Sequence, residues 1–137
     1  MKLPLPYQIP SEVTLSPQTH RQTLGKYGED LAAEYLEKHG YRIIEKNFKA
    51  RYGEIDIIVS KNDQLIFVEV KTRIGKNYGI PEEAVTRKKI REIIKTSQYY
   101  SLLHSALSQN LRIDVIAIEL NPDRSIRDLR HIENITL

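Results

Sequence analysis

A chain of 137 residues can close one domain around its own core, and 28% charged with 40% hydrophobic residues is an ordinary globular balance. A net charge of +3 is too small to point to a polyanionic partner by itself. The lack of cysteine excludes disulfides and thiolate metal sites, no apolar run approaches a membrane span, and the N-terminus lacks the apolar centre of a signal peptide, so a cytoplasmic protein is expected.

Residues 1–18 hold four of the six prolines, Pro4, Pro6, Pro10 and Pro17. Proline removes donors and fixes the backbone, which predicts an extended or disordered arm ahead of a domain over residues 19–137. From about Arg21 to His39 the period is helical: Leu24, Tyr27, Gly28, Leu31, Ala32, Tyr35 and Leu36 recur at spacings of three and four, and Gly40 supplies the stop. Gly25 and Gly28 are poor helix formers and read as small residues that let the helix approach a sheet. Glu29 borders this stripe among Gly25, Ala32 and Ala33. It is either an ordinary boundary carboxylate or one that reaches the sheet.

Tyr41 to Ala50 reads as a first strand, flowing through Arg51-Tyr52-Gly53 into two further strands, Gly53-Glu54-Ile55-Asp56-Ile57-Ile58 and Phe67-Val68-Glu69-Val70-Lys71. Asn62-Asp63 suits a two-residue hairpin loop, because both residues tolerate left-handed backbone. That loop pairs Lys61 with Gln64 and Ile58 with Phe67. It sets Asp56 opposite Glu69 and Glu54 opposite Lys71, all four on one face. Ile55, Ile57, Val59, Ile66, Val68 and Val70 fall on the other face. Both faces carry apolar residues, so the sheet is expected to be covered on both sides. Two carboxylates directly across from each other repel, and a divalent cation with a preference for oxygen would compensate.

The stretch from Arg73 to Ile80 is a glycine-containing basic loop with Arg73 and Lys76. Pro81 is expected near the start of a long helix running to about Leu107, buried through Ile90, Ile93 and Ile94. Arg87, Lys88, Arg91 and Lys95 share another side, which beside a metal-ready cluster is also a phosphate track. Tyr99 and Tyr100 are candidates for packing or base stacking. Leu111 to Leu120 is a strand, joined to the Glu69 strand by a right-handed parallel crossover. This orientation sends Arg112 and Asp114 away from the cluster as structural residues. A last strand is expected around Ser125 to His131.

The order helix, three-strand meander, helix, strand, with Asp and then Glu-x-Lys on the meander, resembles the PD-(D/E)xK nuclease fold. Gly25-Lys26-Tyr27-Gly28-Glu29, Asn47-Phe48, Gly53 to Ile58, Phe67 to Arg73 and Arg112 to Val115 narrow this to a resemblance to the bacterial YraN family over about residues 20–120. That family is uncharacterised and thought to be related to archaeal Holliday-junction resolvases. The resemblance implies a three-layer α/β/α restriction-endonuclease-like fold, with a mixed sheet of about five strands in the order 1-2-3-4-5. It also implies that Asp56 and Glu69 ligate Mg²⁺ or Mn²⁺, with the Val70 carbonyl as a third ligand. Lys71 takes the position of the nuclease lysine. Glu29 takes that of the helix carboxylate, completing a second metal site or orienting a water.

The expected activity is metal-dependent hydrolysis of DNA phosphodiesters, with branched or Holliday-junction-like substrates open, in repair or recombination. Arg73, Lys76, Arg87, Lys88, Arg91 and Lys95 would bind the DNA, and resolution of two strands would call for a homodimer. The rival readings are a catalytically silent nucleic-acid-binding module and an adaptor protein of the same fold.

Overall fold

The computed structural model describes residues 20–75 and 79–135. The proline-rich stretch over residues 1–18 and Lys76 of the basic loop lie outside them. The elements run α1 (His20–Lys38), β1 (Arg42–Ala50), β2 (Gly53–Lys61), β3 (Gln64–Ile74), a 3₁₀ turn (Pro81–Ala84), α2 (Arg87–Leu103), β4 (Leu111–Leu120) and β5 (Ile126–Ile132). The strands form one sheet in the order β1-β2-β3-β4-β5. β3 and β4 are parallel and the other neighbours antiparallel. One helix covers each face, giving the three-layer α/β/α restriction-endonuclease-like architecture.

The stripe on α1 is the reason that helix docks. Tyr27, Leu31, Ala32, Tyr35 and Leu36 are buried against Ile57, Val59, Ile66, Val68, Ile116 and Ile118. Gly40, at φ +85°, ends the helix in a left-handed residue. Gly28 is the point of closest approach, since a Cβ there would lie 1.9 Å from the Thr72 hydroxyl on β3. Gly25 is different: it is exposed, with nothing within 4 Å of a Cβ, so only one of the two glycines is a packing device. The second core, under α2, gathers Ile58, Leu65, Phe67, Ile93 and Tyr100.

The long helix expected from Pro81 is divided. Pro81–Ala84 makes a 3₁₀ turn, Val85 is extended, and Thr86 caps a new helix by accepting from the Lys89 N–H at 3.1 Å. A threonine followed by a run of good helix formers is an N-cap signal that outranks the proline before it. The helix ends at Leu103, with His104 as its C-cap, before the expected Leu107. Tyr100 is 1% exposed and donates its hydroxyl to Glu45 at 3.0 Å, so it packs and cannot stack a base, whereas Tyr99 is exposed.

The β2–β3 hairpin has the expected register. Lys61 pairs with Gln64 and Ile58 with Phe67 around Asn62 and Asp63 at φ +50° and +59°. The backbone ladder stops at Ile57↔Val68, and Glu54 pairs with Lys49 on β1, not with Lys71. Alternation also breaks here. Ile57 packs under α1, but Ile55 packs under α2 with Ile58, correcting its expected face. Asn47, at φ +55°, lies between the pairs Lys46↔Ile57 and Phe48↔Ile55, across from Asp56. This left-handed residue stands opposite the point where the residues flanking Asp56 face opposite ways.

Candidate active site

The break in the hairpin ladder is where the charged residues meet. With no ladder bond to Asp56, the N–H of Val70 is taken instead by the Asp56 carboxylate, at 2.8 Å. This bond turns the side chain of Asp56 toward β3 beside Glu69. A cleft of about 390 Å³ opens at this point, lined by Leu24, Gly25 and Glu29 of α1, Glu54 and Asp56 of β2, Glu69 to Arg73 of β3, and Lys89 of α2. The exposed Gly25 leaves room on the α1 side of this cleft.

Glu69 is the electrostatic centre. It is 3% exposed, and its Oε2 has no hydrogen-bond partner. Lys89 Nζ stands 3.6 Å from that oxygen, close enough for charge attraction but too far for a good hydrogen bond. Burial pushes the Glu69 carboxyl up to about 8, the neighbouring Asp56 carboxylate pushes the same way, and Lys89 and Lys71 only partly oppose them. Glu29 is half-buried on the α1 wall. Burial raises its pKa first and the charge of Asp56 second, while a hydrogen bond from Asn47 and the charges of Lys26 and Lys46 act in the opposite sense.

Thus Glu29, Asp56, Glu69, Val70, Lys71 and Arg73 all line one cleft. Among the described residues, no three His, Asp or Glu side chains close around one point in a metal-ready group. The donors at hand are the two carboxylates of Asp56 and Glu69 and the Val70 carbonyl, with Glu29 on the wall. That set fits Mg²⁺, which is commonly held by one or two carboxylates and completed by waters and substrate phosphate. The unsatisfied Glu69 oxygen is the observation that favours a cation there, since a buried carboxylate oxygen left without a partner is costly.

Arg87, Lys88, Arg91 and Lys95 are all exposed on α2, and Arg87, Arg91 and Lys95 follow one another at intervals of four along one line of the helix. Lys89 and Asn47 are the two site residues that sequence reasoning passed over. Lys89 stands one residue before the buried Ile90 and four before the buried Ile93, so the available signal was a lysine at the edge of the buried stripe of α2. For Asn47 the available signal was an asparagine inside a strand, a residue that tolerates left-handed backbone. Arg112 and Asp114 lie away from the cleft as expected. Asp114 is fully buried, accepting from Arg112 Nε at 2.9 Å, from the Asn134 N–H at 2.9 Å, and bonded to His131 Nε2 at 2.8 Å, while His131 Nδ1 meets the Tyr35 hydroxyl at 2.9 Å. This network ties β4, β5 and α1 together.

A model described as "Uncharacterised protein family UPF0102" matches residues 28–118. The chain belongs to the UPF0102 family. The UPF0102 protein of Caldanaerobacter subterraneus subsp. tengcongensis is 42% identical over 118 residues, which cover 85% of this chain and 97% of that protein. The UPF0102 protein of Persephonella marina is 46% identical over 110 residues, 80% of this chain and 90% of the relative. The UPF0102 protein of Geobacter sulfurreducens is 47% identical over 116 residues, 84% and 89% of the two chains. The UPF0102 match begins at Gly28, against Thr72, and ends at Ile118, so it spans Glu29 and the whole β2–β3 site. No helix among the described residues is long and apolar enough to cross a membrane.

Proposed function

We propose that this UPF0102 protein is a Mg²⁺- or Mn²⁺-dependent endonuclease acting on DNA. The observation that carries the reading is the buried Glu69 carboxylate with a free oxygen, set beside Asp56 in a cleft that also holds Lys71, Lys89 and Glu29. Asp56, Glu69 and the Val70 carbonyl would hold the cation, and the Asp56–Val70 hydrogen bond fixes the first of these before any cation arrives. When bound, the cation supplies charge neutralisation at the phosphate and a more acidic water.

The chain's own residues supply the rest. Lys71 places a mobile positive charge at the cleft, suited to hold a water and favour its deprotonated form. Glu29, with its raised pKa, is suited to orient that water or accept its proton. Lys89 offsets the charge of Glu69 before binding and can turn to phosphate once a cation takes over that role. Arg73 at the cleft and the exposed cations of α2 hold the DNA backbone without reading sequence. Branched substrates, and a homodimer that would cut two strands, belong to this reading through the resemblance to resolvases.

The test is incubation of the pure protein with Mn²⁺ and a panel of labelled linear, nicked, forked and four-way DNAs, beside a Glu29→Gln variant. Cleavage by the wild type that is abolished by chelator and strongly depressed in the variant, at unchanged thermal stability, is the expected result. Cation-independent binding with no cleavage of any substrate would instead mark a silent binding module.

A further inference from the structure

The turn between β1 and β2 presents an aromatic ring that serves no core. Tyr52 is 49% exposed, and two cations lie over its ring, Arg51 Cζ and Lys95 Nζ, each 5.9 Å from the ring centroid. The turn is seated on α2: a Cβ on Gly53, at φ +150°, would meet Thr96 Oγ1 at 3.4 Å and Glu92 Cβ at 3.7 Å. This seating holds Tyr52 against the same line of α2 that carries Arg87, Arg91 and Lys95. β2 leaves the turn directly toward the cleft, with Glu54 and Asp56 as its first two inward acids. Asp56 lies four positions along the chain from Tyr52, at most about 13 Å at the usual rise per residue.

We propose that Tyr52 is a stacking platform for an unpaired base, and that the substrate is DNA carrying single-stranded nucleotides next to a duplex. The inference rests on the nuclease reading and names its substrate class. A half-exposed ring offers a base a π-face once the flexible Arg51 and Lys95 side chains that lie over it turn to the adjoining phosphates. A fully paired duplex has no free base face to offer in return. The exposed cations of α2 would hold the paired part through its phosphates, and Tyr52 would hold the first unpaired base.

The experiment measures binding in chelator, so that cleavage plays no part. Fluorescence anisotropy compares a paired duplex, a fully paired four-way junction and a forked duplex with a single-stranded arm, for wild type, Tyr52→Ala and Tyr52→Phe. The wild type is expected to favour the fork. Tyr52→Ala should weaken fork binding by roughly five- to a hundredfold, the scale of losing one stacked base, and leave the paired DNAs within about twofold. Tyr52→Phe should retain the preference. A 2-aminopurine at the first unpaired position should be quenched by wild type and not by Tyr52→Ala. Equal loss on all three DNAs, no loss, or wild-type preference for the fully paired junction overturns the proposal. If the wild type cleaves DNA in Mn²⁺ yet shows any of these, only the Tyr52 platform fails. If it neither binds nor cleaves any DNA, the nuclease reading fails and the platform with it.

Discussion

At the residue scale, the site is a pair of carboxylates held together by the fold against their own repulsion. Asp56→Asn keeps an oxygen able to accept the Val70 N–H but removes a charge that acts directly on Glu69. Above about pH 8, where Glu69 is ionised, the variant should therefore be more stable than wild type in chelator, by about 0.5–1 kcal/mol on the scale of cross-strand pairs. It should also gain less from millimolar Mn²⁺, because a ligand stabilises only in proportion to its binding of the native state. Denaturant melts of both proteins with chelator and with Mn²⁺ check this crossover; a variant that is destabilised in chelator and responds to Mn²⁺ like wild type would remove Asp56 from the ligand set. Glu69 adds a pH dependence. Its folded pKa of about 8 lies above its ordinary 4.5, so the native state binds the proton more tightly than the unfolded chain does. Its contribution is full below about pH 4.5 and is lost as pH rises to about 8. In chelator, the stability advantage of Glu69→Gln over wild type should grow across that window, which melts at a series of pH values would read directly. A flat difference would mean that Glu69 ionises in the native state as easily as in the unfolded one.

At the scale of elements, what sets the depth of the cleft is how closely α1 lies on β3. Gly28→Ala drives a methyl into the Thr72 side chain and should cost about 1–3 kcal/mol as an overpacking change. Gly25→Ala, three residues away, meets nothing and should stabilise the helix by up to about 1 kcal/mol. Opposite signs for two Gly→Ala changes in one helix would be seen in a single pair of thermal melts. A gain from both would mean that α1 sits farther from the sheet than the structure places it. The same helix shows why glycine was only half informative in the sequence. Both positions break helix propensity, but one faces a β3 side chain and the other faces the open cleft, and spacing alone does not separate them.

For the whole molecule, the proposed DNA surface joins the exposed cations of α2 to the cleft that Lys89 and Arg73 line. Replacing Arg87 and Arg91 with Gln should weaken binding about equally for all sequences and flatten the slope of log affinity against log salt by roughly two units. Titrations at several salt concentrations measure it, and an unchanged slope would take this helix out of the binding surface. Because both residues are exposed and outside the cleft, the melting temperature should barely move.

The sequence alone determined the strands and their order along the chain, the turn half of the β2–β3 register through Asn62-Asp63, the parallel β3–β4 crossover, and the gathering of Asp56, Glu69 and Lys71 at one end of the sheet. Those follow from local backbone preference, from a period of two, and from the handedness of crossovers, all of which are written in short stretches of chain. It also kept Arg112 and Asp114 out of the cleft, because in a parallel pair they stand beside Ile66 and Val68, ahead of the charged C-terminal half of β3. Tertiary structure decided the rest. The ladder stops at Ile57 and Asp56 takes the Val70 N–H at the point where Asn47, on the neighbouring strand, is left-handed. Ile55 changes face at the same point. Lys89 of α2 approaches Glu69 of β3 only once the helix is docked on the sheet. Asp56 and Val70, and Lys89 and Glu69, are distant in sequence and meet only in the assembled sheet. A pattern read along one strand or one helix has no access to that information.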